Sequence, residues 1–214
     1  MAHSPCNLRD GTRVPSVTTI LSVLAKPALV KWANEMGLRG IDTSKYVDET
    51  AQIGTCTHYL IECRLTNREP DLTPYKPDHI AQAQKGLAKF VAWQEKVGYV
   101  AEAVEYKLIS EKHRFGGTLD SFGHLADGRK VLVDIKTAKA VYDEHWTQVA
   151  GGYTLLLEEN DEKYDAVLIV RIGRHDEEGL HAEVQTCPNV AAHQKRFLLC
   201  RELYDVNQEV KRGW

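Results

Sequence analysis

Residues 117–137 read GTLDSFGHLADGRKVLVDIKT, two strand-like runs around the turn Ala126-Asp127-Gly128. Asp-Gly between such runs is a strong hairpin signal, and the loop length decides which side chains face each other. A two-residue loop, Asp127-Gly128, pairs Ala126 with Arg129 and sends Asp120 and Asp134 to opposite faces. A three-residue loop, with Gly128 left-handed in a G1 bulge, pairs Leu125 with Arg129 and sets Asp120 across from Asp134. Lys136 then shares their face. Like charges directly opposed repel by roughly 0.2–1 kcal/mol, so this register is expected only if a cation sits between the carboxylates. A divalent ion with oxygen ligands, Mg²⁺ or Mn²⁺, meets that need and leaves room for phosphate and water. The Lys136 ammonium can hold an attacking water or balance charge growing on a phosphate. Two acids and a lysine on one face form a kit for metal-assisted phosphodiester hydrolysis. The plainer alternative is a strand-end ion pair between Asp134 and Lys136, with Asp120 a surface group near the turn.

The length of 214 residues suits one domain: a helical part over 1–77, a core over 78–186 and a C-terminal helix over 187–214. The net charge is −3, so if nucleic acid is bound, positive charge must be local. The longest apolar runs fall short of a membrane span, and the first residues lack a signal-peptide core, so a soluble cytoplasmic protein is expected, with no membrane partner. The cysteines at 6, 56, 63, 187 and 200 form no CxxC pair, which argues against a zinc ribbon and for reduced thiols.

Along the chain, residues 1–14 read as irregular. PSVTTILSVL and PALVKWANEMGLRG read as short helices divided at Pro27. Residues 42–53 read as a loop or short helix, 53–65 as a helix, and 66–77 as a proline-rich loop. Residues 78–98 give the clearest helix, with Ile80, Leu87, Phe90, Val91 and Val97 as its apolar stripe, Asp78 as cap and Gly98 as stop. Three strands follow (104–110, 117–126, 130–137), then a helix (142–159), strands at 164–173 and 181–186, and a helix over 189–211. That order predicts an α/β fold: a mixed sheet flanked by helices.

Other residues carry a functional and a bland reading. His58 and Glu62 lie i, i+4 on one helix face, as metal-facing groups or as a surface hydrogen bond. Glu105 either reaches the acids or faces solvent. Thr137 and Lys139 either meet phosphate or end a strand in water. Lys112, His113 and Arg114 form a basic turn, for a DNA backbone or for solvent. Trp32, Trp93 and Trp146 could stack on bases or fill the core. Thr118, Phe122 and His124 share the expected face of Asp120, with Phe122 in the core and His124 at a strand end. Gly151-Gly152 inside a helix, at about 1 kcal/mol each against alanine, points to close packing onto the sheet.

Taken in order, Glu105, GGTLD (116–120), VDIKT (133–137) and Gln148, preceded by PSVTTIL (15–21) and GTCTHYLIE (54–62), resemble the PD-(D/E)XK nuclease superfamily, in particular its RecB-like exonuclease branch. The likeness covers roughly residues 14 to 173. It implies a restriction-endonuclease-like αβββαβ core with extra N-terminal helices and a C-terminal helix. It also implies Mg²⁺- or Mn²⁺-dependent DNA cleavage. Asp120 and Asp134 would be metal ligands, joined by the Ile135 carbonyl and by His58, with Glu62 a supporting acid and Glu105 matching a first-strand glutamate of varied role. Lys136 would be catalytic, Gln148 would orient the site and contact DNA, and Trp146, Thr137 and Lys139 are further substrate candidates. The helix motif of this branch reads Q-x-x-x-Y, whereas here Tyr153 is five residues after Gln148 and an ideal α-helix turns it about 140° away. With no third cysteine near Cys187 and Cys200, an iron–sulfur cluster is not expected. The implied activity is an exonuclease on DNA ends or single strands, serving DNA repair, recombination or phage DNA processing, with a repair or recombination protein as possible partner. The rivals are a non-catalytic DNA-binding or assembly protein of the same fold, and an endonuclease.

Overall fold

In the computed structural model, residues 5–173 and 181–213 are described. The core follows the expected order: helix α4 (Pro77–Val97), the antiparallel strands β3 (Val100–Ser110), β4 (Phe115–His124) and β5 (Lys130–Lys136), a helical segment, then β6 (Ala166–Arg171). β6 lies parallel to β5, β7 (Glu183–Thr186) closes the far edge antiparallel, and the sheet order is β3-β4-β5-β6-β7. This is a mixed α/β fold whose core elements follow the expected αβββαβ order.

The hairpin takes the three-residue register. His124 pairs with Lys130 and Ser121 with Val133. The Leu125 amide donates to the Arg129 carbonyl at 3.0 Å, and Gly128 is left-handed at φ 85°.

Layers of helix cover both faces of the sheet. On one face, Val131, Val133 and Ile135 of β5 pack with Ile61, Phe90 and Trp93 from α3 (Thr43–Leu65) and α4. On the other, Leu132, Leu119 and Phe122 pack with Val149, Tyr153, Leu156, Leu157 and Phe197. Those last residues come from the segment after β5 and from α7 (Val190–Arg212). The segment begins as α5 (Asp143–Trp146), widens into a π-helical stretch (Thr147–Tyr153) and ends as α6 (Thr154–Glu159). Burying so many Leu, Ile and Phe side chains, at about 1.5–3 kcal/mol each, is the main force holding the layers together.

Several sequence expectations are corrected. Residues 6–14 are not irregular throughout: β1 (Cys6–Asn7) and β2 (Arg13–Val14) form a small hairpin, with Cys6, Leu8 and Val14 buried against Ile109. Residues 43–53 belong to α3, which starts ten residues early because the Asp42 carboxylate accepts from the Ser44 and Lys45 amides. Asp78 does not cap α4; Lys76 holds the cap position, without a side-chain bond, and Pro77 follows as the first helical residue. Gly98 does end it, left-handed at φ 60°. The two helices divided at Pro27 are α1 (Val17–Leu21) and α2 (Pro27–Leu38).

Candidate active site

The β4–β5 ladder ends at Ser121–Val133, one residue before the two acids. Beyond that point the strands fork, and the Ile135 amide donates to the Asp120 carboxylate (Oδ2, 2.7 Å) instead of to a neighbouring carbonyl. Glu105 on β3 adopts φ 49°, a left-handed conformation unusual for this residue type. It stands opposite Asp120, between the pairs Val104–Ser121 and Tyr106–Leu119. Leu119 and Phe122, three apart, both enter the same core cluster, so strict alternation slips by one between them. Thr118, paired with Lys107, therefore leaves the face shared by Phe122, contrary to the even-numbered expectation. Phe122 itself is core, and His124 is a strand-end residue bound to Glu102 at 3.1 Å.

Glu105, Asp120 and Asp134 thus form a row across β3, β4 and β5. Asp134 is 1% exposed, and its Oδ2 lies 2.7 Å from the Lys136 ammonium. The contact is a close ion pair, but no well-aligned hydrogen bond reaches that oxygen. Burial pushes the Asp134 carboxyl up to about 7; the Lys136 ammonium opposes the rise and the Asp120 charge adds to it. Glu105 is exposed as a residue. Even so, desolvation of its carboxyl, then the charges of Asp120 and Glu62, hold it up at about 7.

Helix α3 supplies the groups above the fork. His58 Nδ1 stands 3.6 Å from Asp120 Oδ2. Glu62 faces the same way and is held by Arg68 at 2.6 Å. The G-x-x-x-H spacing has a packing reason: a Cβ at Gly54 would come 2.7 Å from Thr137 Oγ1, so glycine lets α3 approach the end of β5 and carries His58 over the acids.

From the other side, Lys136 Nζ donates to Gln148 Oε1 (3.1 Å), and Gln148 Nε2 donates to the Tyr153 hydroxyl (2.7 Å). This corrects the expected 140° separation. In the π-helical stretch the hydrogen bonds run i to i+5, so a residue five later comes back alongside. A Q-x-x-x-x-Y spacing on a π turn brings together two side chains that a Q-x-x-x-Y spacing would bring together on an α turn. Gly151 and Gly152 do mark close packing, but against α7 and α1, not the sheet: added Cβ atoms would meet the His193 carbonyl oxygen at 2.5 Å and Val17 Cγ1 at 2.7 Å. Sequence reasoning missed His145. It is held down at about 4, by burial and then by the Lys136 charge.

Other candidates fall outside this cluster. Trp146 is 9% exposed and packs in the main core, so its ring offers little surface to a base; Trp93 is core as well. Trp32 packs against Tyr46. Thr137 adjoins Gly54, while Lys139 is exposed and gives its carbonyl to Arg171. The Lys112–Arg114 turn lies six residues from Asp120, about 20 Å along the strand, and is anchored through Lys112 N to Glu159.

Among the described residues no group of three or more His, Cys, Asp or Glu side chains stands ready to hold a metal. The donor chemistry nevertheless fits a hard divalent ion. A buried carboxylate is met by a single ammonium, a second carboxylate lies one strand away, and that ammonium supplies the charge a cation would. Two open grooves elsewhere, of about 730 and 580 Å³, do not include these residues. No described helix is long and apolar enough to cross a membrane.

No protein-family model and no curated protein matches the chain. Solved structures that resemble it include SSO0001, at 13% identity and TM-score 0.37, covering 73% of this chain and 74% of that one. LHK-Exo, in complex with dAMP, resembles it at 13% identity and TM-score 0.36, covering 77% and 91%. The same protein, described as an alkaline exonuclease from Laribacter hongkongensis, scores 0.34 at 13% identity, covering 77% and 90%. These likenesses are distant.

Proposed function

We propose that the chain is a divalent-metal-dependent deoxyribonuclease that hydrolyses phosphodiester bonds, acting as an exonuclease on DNA ends or single strands. The observation that carries this reading is the forked hairpin, where Asp120 and Asp134 sit on adjacent strands with the Lys136 ammonium 2.7 Å from the buried Asp134 carboxylate. Folding alone gives no reason for it, since an apolar strand end would avoid the desolvation of Asp134. Asp120, Asp134, the Ile135 carbonyl and His58 would hold Mg²⁺ or Mn²⁺, with Glu105 and Glu62 as neighbouring acids. The ion, when bound, supplies a water of lowered pKa and neutralises phosphate charge. Lys136, released from Asp134 to face the phosphate, balances the developing charge or orients the water. Gln148, tethered by Tyr153, fixes the Lys136 ammonium and presents its amide edge to the strand. Processing in repair, recombination or phage DNA metabolism fits this chemistry.

The test is incubation of labelled linear and closed circular DNA with Mg²⁺, Mn²⁺ or EDTA. Stepwise loss of nucleotides from linear DNA in either ion, with circles spared, is expected. Nicked circles would favour an endonuclease. Intact DNA under every condition would leave the fold as a non-catalytic DNA-binding or assembly protein.

A further inference from the structure

The larger groove lies away from the acids, between the β1–β2 hairpin, the turn before β4 and helix α7, and holds about 730 Å³. Arg13, Arg114, Arg201 and Arg212 line it against two carboxylates, Asp205 and Glu209. That is a net of two positive charges inside a chain of net charge −3. Arg201 is fixed by the His113 carbonyl (3.1 Å) and Asp205 (2.5 Å), and its guanidinium stands 5.7 Å from the Tyr204 ring centre. Arg13, Arg114 and Arg212 are exposed and, among the described residues, make no close ion pair or side-chain hydrogen bond, although the Arg114 charge reaches Asp10. Arg114 is moreover held at φ 53°, a conformation that costs of order 1 kcal/mol for such a residue. Four guanidiniums against two carboxylates leave the groove an excess of positive charge that a bound anion can neutralise. The groove also connects to the acids by backbone: Ser16 bridges to Gly116, four residues before Asp120, about 14 Å along β4.

We propose that this groove binds the phosphate backbone of single-stranded DNA, holding the strand at a distance from the reacting phosphate. Guanidiniums recognise successive phosphates, and Tyr204, with Arg201 against it, offers a stacking surface to a base. A groove of this volume matches a drug-sized ligand, a short stretch of one strand and not a duplex. The identity of the anion as DNA rests on the nuclease reading; the groove's charge does not.

The experiment is fluorescence anisotropy with a fluorescein-labelled oligothymidylate in EDTA, over a range of salt, for the wild type and an Arg13→Gln/Arg114→Gln/Arg212→Gln variant. Affinity is expected to fall roughly tenfold or more in the variant. The slope of log affinity on log salt should shrink by about 2, at ~0.7 per phosphate contact on a single strand. Melting temperature should not change, because these side chains hold nothing in the fold. Equal affinity and slope in both proteins, no binding by the wild type, or equal competition by a blunt duplex would overturn the proposal. Asp120→Asn separates the two readings. If it binds oligothymidylate as the wild type does and the wild type cleaves nothing, the groove stands and the nuclease reading fails. Cleavage by the wild type together with unchanged binding by the arginine variant would give the reverse.

Discussion

Glu105 combines a strained backbone, at φ 49°, with a carboxyl held up at about 7. Strain of this kind costs of order 1–3 kcal/mol and persists where the surroundings fix it, often at functional sites. Its titration has a defined sign. Between its ordinary value of 4.5 and about 7 the folded protein keeps a proton the unfolded chain has lost, so stability falls as pH rises through that window. Asp134, raised for the same first reason, acts in the same direction. In EDTA the melting temperature should therefore drop from pH 5 to pH 8, and Glu105→Gln should make the drop shallower; parallel curves for the two proteins would contradict this origin. Saturating Mn²⁺, which prefers the ionised carboxylates, should raise the melting temperature most at pH 8. The choice of variants matters at this scale. Lys136→Ala strips the ammonium from buried Asp134, so lost activity there mixes chemistry with stability. Asp120→Asn keeps an oxygen to accept the Ile135 amide and removes only charge. The register that sets Asp120 across from Asp134 was legible in the sequence because the Asp-Gly turn constrains it, although the slip in alternation around Asp120 was not. The left-handed Glu105 was not, since nothing in its neighbours announces a positive φ.

At the level of elements, the π-helical stretch is the feature that the sequence concealed. Its widened turn returns Tyr153 to Gln148, a contact that 3.6-residue periodicity forbids. The glycine pair was visible, but its partners were not, because α7 and α1 are remote in sequence and only the tertiary fold brings them there. Tyr153→Phe should leave the Gln148 amide without its acceptor, destabilise by about 1–3 kcal/mol, and reduce turnover more than substrate affinity, because Lys136 loses its positioning. Steady-state kinetics with melting curves would check both; unchanged turnover would show that Gln148 holds Lys136 unaided. Gly151→Ala forces a Cβ onto the His193 carbonyl and should destabilise by about 1–3 kcal/mol, read by denaturant unfolding. Loop geometry, in contrast, was decided by local chemistry: Gly128 in the left-handed position set the hairpin register, and Gly98 the end of α4.

Across the whole molecule, the site is an assembly of three layers: α3 with His58 on one side, the forked strands in the middle, and Lys136 reaching Gln148 on the other. The layer order was readable from the helix and strand periods. The early start of α3 was not, because a polar run reads as loop until Asp42 is seen capping it. The groove of arginines was invisible because its members come from three distant segments. Gly54 sets the spacing between the first two layers. Gly54→Ala should displace α3 from Thr137 and lower activity, and Thr137→Ala in the same chain should recover part of the loss, a coupling that a double-mutant cycle measures. Additive effects would mean the helix is placed by other contacts. The measurement that bears most directly on the account is a calorimetric Mn²⁺ titration of the wild type and Asp120→Asn at pH 8. The wild type should bind Mn²⁺, and Asp120→Asn should bind it at least ~10–100-fold more weakly, the size of loss that even outer-shell changes produce, while still showing a cooperative melting transition in EDTA. A wild type that takes up no Mn²⁺, or two proteins with the same isotherm, would contradict the idea that these strands converge on a cation.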